Sequence, residues 1–163
     1  MRFIEKHIFL IMISTVLTAS LLVYFVIDLK KSPKRIETDH LMVDNEIKYD
    51  FDIEQDGSKW IIQGYAYHPD NLIDFENYIS GSGRSYKIDT KVILQGEDDV
   101  FALYTSPLYR KDAVVNDFDF GRAGFYSEYK VDQLPKEKLR LGFIVEVNNE
   151  QHIVWSSEVI TNE

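Results

Sequence analysis

Asp52, Glu54 and Asp56 stand at alternate positions and Gly57 follows them, which offers hard oxygen ligands and a sharp turn to a calcium ion. A complete loop of that kind also needs a short Asp or Asn where Glu54 stands, and a bidentate Glu where Gln63 stands. The segment therefore reads as a solvated strand face running into an Asp-Gly hairpin. Glu97-Asp98-Asp99 reads the same way, as a charged turn. The four histidines, His7, His40, His68 and His152, have no metal-ligand spacing. Serine, histidine and aspartate are all available for a hydrolytic triad, but no Gly-x-Ser-x-Gly positions a nucleophile. Gly81-Ser82-Gly83-Arg84 could wrap an anion with backbone amides, yet without a strand-then-helix context it reads as a flexible loop. The expectation is a protein that is not an enzyme, with no catalytic residue, no metal and no cofactor.

Aromatic side chains give the better lead. The chain has 10 Tyr, 10 Phe and 2 Trp, and most fall on inward strand positions, where core packing explains them. Tyr65 and Tyr67 differ. If Trp60, Ile62 and Ala66 face the core, period-two geometry puts Gln63, Tyr65 and Tyr67 together on the opposite face. Outward tyrosines beside an amide can stack on sugar rings or make a protein contact, so these three are the candidate ligand or partner surface. The alternative is that a neighbouring loop covers them or that the sheet buries both faces.

The elements that must position these residues are strands. Ile47, Tyr49, Phe51 and Ile53 alternate with charged residues, Asp56-Gly57 turns the chain, and Lys59–Tyr67 returns to a His68-Pro69-Asp70-Asn71 turn. Further alternation runs through Tyr86–Leu94, Val100–Thr105, Gly124–Val131, Leu139–Val147 and Ile153–Val159, with turn residues between them. The buried face is expected to include Trp60, Ile62, Phe125, Leu141, Phe143, Val145 and Trp155. Only Asn71–Ile79 has the pattern of a short helix. About seven strands with this turn chemistry predict an all-β domain, a single immunoglobulin-like antiparallel β-sandwich.

One N-terminal transmembrane helix is expected before it. Ile8–Ile27 is a run of twenty residues without charge, proline or glycine, enough to cross the roughly 30 Å hydrocarbon layer at about 1.5 Å per residue. A cleaved signal peptide is the rival, with Arg2 and Lys6 as its basic region and Thr18-Ala19-Ser20 as the cut. Cleavage there would leave seven apolar residues, Leu21–Ile27, at the new N-terminus, which favours an uncleaved anchor. The predicted organisation is an anchor over 1–29, a juxtamembrane linker over 30–45 and the sandwich over 46–163. Lys30, Lys31, Lys34 and Arg35 after the span argue for a cytoplasmic domain by the positive-inside rule. The architecture, one span followed by one β-domain, argues for an extracytoplasmic one on a single-pass cell-membrane protein, and that is the placement expected.

Charge narrows the partners. Residues 36–163 hold 25 of the 27 acidic residues and 12 of the 18 basic ones, a formal net charge of −13. Such a surface repels nucleic acid and anionic lipid. The chain has no cysteine, so no disulfide framework supports the domain.

Trp60-Ile61-Ile62-Gln63-Gly64-Tyr65-Ala66, then Tyr109-Arg110-Lys111-Asp112-Ala113-Val114, then Ala123-Gly124-Phe125, then Leu134 and Leu139 leading into the long strand, form a further pattern. Over roughly residues 47–160 it resembles the immunoglobulin-like accessory modules associated with bacterial cell-surface polysaccharide and teichoic-acid proteins. Ala113 interrupts the Arg-x-Asp-Val element of those modules. The resemblance implies a cell-envelope setting and a non-catalytic role. Read from the residues alone, Arg110-Lys111-Asp112 is a salt-bridged turn. Two functions of different class follow. One is an accessory or scaffold protein that contacts another envelope protein. The other is a membrane-tethered module that binds cell-surface polysaccharide through exposed aromatics. A cytoplasmic regulator is the minor third.

Overall fold

In the computed structural model the described residues are 2–69, 90–108, 114–115, 118–119, 123–147 and 149–163, with backbone only for 2–10, 114–115 and 118–119. Two compact units divide the chain, Met1–Ser32 and Pro33–Glu163.

The first unit is one helix, α1 (Arg2–Lys31), long and apolar enough to cross a membrane over Ile11–Lys31. Three of its hydroxyls are satisfied by local bonding. The hydroxyls of Thr15, Thr18 and Ser20 each donate to the carbonyl four residues back, of Ile11, Ser14 and Val16, at 2.8 Å. In an apolar medium this satisfies groups that water could not reach. Lys30 and Lys31 close the last turn, where positive charge suits the helix C-terminus.

The second unit is built of strands in two principal sheets, and alternation in the sequence explains most of them. The first sheet holds β3 (Lys48–Asp56), β4 (Lys59–Tyr67), β7 (Thr105–Pro107) and β10 (Gly124–Lys130), in the order β3-β4-β10-β7. The second holds β1 (Lys34–Ile36), β2 (Met42–Val43), β5 (Thr90–Gln95), β6 (Val100–Ala102), β11 (Lys138–Val147) and β12 (Glu150–Thr161), ordered β1-β6-β5-β11-β12-β2. A separate pair, β8 (Val114–Val115) and β9 (Phe118–Asp119), completes the described strands. All pairings within the two main sheets are antiparallel except β2 with β12.

Both sheets contribute to one core. Ile62, Ala66, Phe125 and Tyr129 come from the first sheet, and Val92, Leu94, Leu139, Leu141, Phe143, Val145, Val154 and Ile160 from the second. Phe143 is the junction, with ring centroids 5.2 Å from Tyr49, 5.5 Å from Phe51 and 5.2 Å from Phe125. Between β6 and β7 the chain changes sheets, so the stretch Val100–Thr105, one strand by its sequence pattern, is two. Thr105 stitches that crossing: its hydroxyl accepts from the Val92 N–H at 3.0 Å and from the Ser127 hydroxyl at 2.9 Å.

Three expectations are corrected here. The described residues hold twelve strands, and the excess over about seven lies in two- and three-residue pieces too short to alternate. The segment read as a linker over 30–45 contains β1 and β2, and its first residues belong to α1. Ile36 and Leu41 pack against a second apolar cluster of Ile93, Ile144 and Ile153, on the face of the sheet turned away from the main core. Residues 34–43 thus reach from the β6 edge of that sheet to its β12 edge. Trp155 belongs to this outer cluster, not to the main core face. Within β12 the core-side positions are Val154, Ser156 and Ile160, so Ile153 and Trp155 are in phase with each other but point outward. The alternation itself is right. Only its sense is inverted, because this sheet buries apolar residues on both faces. The 71–79 helix, the Gly81–Arg84 loop and the Arg110–Asp112 turn lie outside the described residues, as do 86–89 of the expected Tyr86–Leu94 strand.

Candidate functional site

Gln63, Tyr65 and Tyr67 do share the face of β4 opposite Ile62 and Ala66. Register fixes their neighbours: Gln63 pairs with Asp52 on β3 and Tyr126 on β10, Tyr65 with Asp50 and Gly124, and Tyr67 with Lys48. Residues directly paired across antiparallel strands point to the same face. The outer face of this sheet therefore carries three tyrosines, an amide and carboxylates together. The Tyr65 and Tyr67 rings stack with centroids 6.1 Å apart. Tyr126 donates its hydroxyl to Glu128 Oε2 at 3.1 Å, and Lys59 Nζ lies 3.7 Å from the same oxygen. Burial raises the Tyr126 phenol above its ordinary value, and the Glu128 hydrogen bond and charge raise it further. Exposure differs along the row. Gln63, Tyr65 and Tyr126 are half-buried, whereas Tyr67 is only 7% exposed, and burial raises its phenol too, followed by the neighbouring Tyr65. Tyr67 is thus a buried residue of this face, which corrects its expected outward role.

A second feature lies at the side of the domain where both sheets end. Among the described residues β3 pairs only with β4, and β2 covers β12 only at His152 and Ile153. Between the two edges lies a cleft of about 460 Å³ lined by Tyr49, Asp50, Phe51, Asp52, Ile53, Ser156, Ser157 and Glu158. Tyr49, Phe51 and Ile53 are partly buried against the core, so the cleft shows the edge of the core itself. A bulge shapes its far wall. Arg140 pairs with Val159 and Gly142 with Trp155, so Ser156, Ser157 and Glu158 all oppose Leu141. The bulge is held by bonds from Arg140 Nε to the Ser156 carbonyl at 2.9 Å and from the Ser156 hydroxyl to the Leu141 carbonyl at 3.0 Å. Gly142 is required there, since a Cβ would sit 2.4 Å from the Trp155 ring.

The near wall has a defined edge. The Asp50 carbonyl points at Gly64 on β4, while the Phe51 N–H is met by the Asp50 carboxylate at 3.1 Å. Outward-directed backbone groups on β3 therefore belong to the odd-numbered residues, and one of them is capped by a carboxylate.

Sequence reasoning missed one constellation. Asp44, just after β2, receives His152 Nδ1 at 2.9 Å and lies 3.3 Å from His68 Nε2, both on Oδ2, with the two imidazoles 6.1 Å apart. Glu46 is 3.7 Å from His68 Nε2. Burial raises the Asp44 carboxyl. The Glu46 backbone N–H, the His152 hydrogen bond and the positive charge available on His68 and His152 outweigh that and hold it below its ordinary 3.8. Residues 44, 68 and 152 are too far apart in sequence to signal this, and the segment containing Asp44 has no periodicity. Chemically the cluster is a polar pin, centred on the Asp44 carboxylate, that joins β2 to the ends of β4 and β12. Among the described residues no group of three or more His, Asp or Glu has the arrangement of a metal site. Asp52, Glu54 and Asp56 instead lie on β3, and Gly57, at φ +59°, makes the hairpin turn into β4.

No family model matches the chain, and no curated protein or solved structure matches it significantly.

Proposed function

We propose that this protein is a non-catalytic, membrane-anchored accessory or scaffold protein of the bacterial cell envelope, acting through contact with another envelope protein. In this reading the β-domain is extracytoplasmic and immunoglobulin-like. The order β3-β4-β10-β7 corresponds to the A-B-E-D sheet of that fold, and β6-β5-β11-β12 to its C′-C-F-G sheet, with β1 and β2 added at the edges. The observation that carries the functional reading is the cleft between β3 and β12. It offers backbone groups and the apolar flank of Tyr49, Phe51 and Ile53, which is the chemistry of a protein contact.

A second reading, a polysaccharide-binding module, is favoured by the outer face of the first sheet, where Tyr65 and Tyr126 stand beside Gln63 and Asp50. One pair of measurements separates the two. The intact, detergent-solubilised protein is purified from cross-linked cells and its companions identified by mass spectrometry, and the same protein is tested for retention on purified cell-wall polysaccharide. The accessory reading expects a recurring envelope protein and no retention that depends on Tyr126. Retention lost in Tyr126→Ala, with no protein companion, would replace it with the glycan reading.

A further inference from the structure

Resting on that accessory reading, we infer that the β3 edge is a strand-addition site for an extended partner segment that alternates apolar and basic residues. β3 is nine residues long, so about 30 Å of edge is presented at roughly 3.3 Å per residue. Its far side, away from β4, has no strand partner among the described residues. A strand laid there places every second side chain toward the cleft, against the partly buried Tyr49, Phe51 and Ile53, and extends the cover of the core edge that they form.

Charge selects the occupant. Asp50, Glu54 and Asp56 are exposed along β3, Glu158 stands across the cleft, and Lys48 is the one basic residue of the strand. A second copy of the same edge would bring carboxylates against carboxylates, which disfavours self-pairing. A lysine or arginine on the incoming strand meets the opposite sign. Asp50 adds a further condition. Its carboxylate occupies the Phe51 N–H, one of the edge donors an added strand must use. A basic side chain draws that carboxylate away and frees the donor, whereas a neutral or acidic strand finds it blocked. The edge is thereby protected against indiscriminate pairing while open to cationic segments.

The test uses the full chain in detergent micelles and a fluorescent peptide of about seven residues alternating lysine and valine. Three comparison peptides accompany it: the same composition with the lysines grouped, a glutamate–valine version, and the lysine–valine peptide N-methylated at alternate residues. Expected are saturable binding of the alternating basic peptide and binding weaker by roughly tenfold or more for the N-methylated form, which keeps its charge but loses strand hydrogen bonds. Asp50→Lys and, across the cleft, Glu158→Lys should each weaken binding, with circular dichroism confirming that the fold is retained. Equal binding of the N-methylated or grouped peptides would mean plain charge attraction and overturn the inference, as would no binding at all or binding indifferent to both substitutions. If no peptide binds but an envelope protein still co-purifies, the accessory reading stands and the edge site falls. If the peptide binds as expected and nothing co-purifies, the edge site stands and the accessory reading falls.

Discussion

Truncating Phe143 to alanine is the most direct test of how the two sheets are held. The ring is fully buried on β11 and touches Tyr49, Phe51 and Phe125, so its removal opens a space where aromatic residues of three strands converge. Phe→Ala in a core costs about 3–5 kcal/mol, the transfer term plus the residual cavity. Two of the three neighbours, Tyr49 and Phe51, sit on β3, the end strand of its sheet among the described residues, and are only partly buried, so they can lean into part of the gap. That places the expected loss near the middle, at about 4 kcal/mol. Domains of this size have total stabilities of about 5–15 kcal/mol, so the variant should fold but with little reserve. The assay is urea unfolding followed by tryptophan fluorescence. Trp60 reports from the main core and Trp155 from the outer cluster, so both faces of the second sheet are covered. With a slope of about 1.5 kcal/mol per molar urea, the midpoint should fall by roughly 2–3 M. Phe143→Leu should lose less than about 1.5 kcal/mol, and Val159→Ala at an exposed position less than about 0.5. A midpoint shift under about 1 M for Phe143→Ala, at unchanged slope, would refute the claim that this ring joins the sheets.

Other outcomes follow from the same geometry. Gly64→Ala should destabilise the domain by about 2 kcal/mol or more, because a Cβ there collides with the Asp50 carbonyl and lies 2.7 Å from Phe51 Cα; a melting temperature equal to that of the unaltered chain would contradict the close approach of β3 and β4. Asp44 has a folded pKa below its ordinary 3.8, so its contribution is present above that value and is lost as pH falls below it. Thermal melts from pH 6 down to about pH 2.5 should therefore decline less steeply in Asp44→Asn than in the unaltered chain, and parallel curves would remove the carboxylate from the account. Because the chain has no cysteine, Ser157→Cys at the exposed bulge gives one thiol; a membrane-impermeant reagent should label it in whole cells, and labelling only after lysis would place the domain inside.

The legible part of this fold is the part governed by period-two alternation. β11 reads directly as Leu139, Leu141, Phe143, Val145 and Val147 turned to the core, because Ile144 is the one large apolar residue on its other face, and β10 as Phe125, Ser127 and Tyr129. β12 did not read correctly. Val154 and Ile153 are both apolar and both buried, one on each face, and alternation cannot tell which face meets the larger core. β1 and β2 were invisible for a different reason: two or three residues carry no period, and their pairing partners lie in distant strands. The candidate face was legible as a set, Gln63, Tyr65 and Tyr67, but not in its exposure, since burial of Tyr67 depends on what the fold packs beside it. Asp44, His68 and His152 could not be assembled from spacing at all.

The reach of residues 34–43 across the second sheet also orders events in time. Met42 pairs with His152, and Asp44 bonds the same histidine across a separation of 108 residues. At about 5–20 residues per second, ribosomal synthesis supplies that partner on the order of ten seconds after Asp44 itself is made. Until then Ile36 and Leu41 have no Ile153 or Trp155 to cover, and β2 has no strand to join. Local pairs such as β3 with β4 can close early and β1 can join β6 once Val100–Ala102 is made, but β2 must wait for β12. β2, among the first strands of this domain to be made, is therefore among the last to dock.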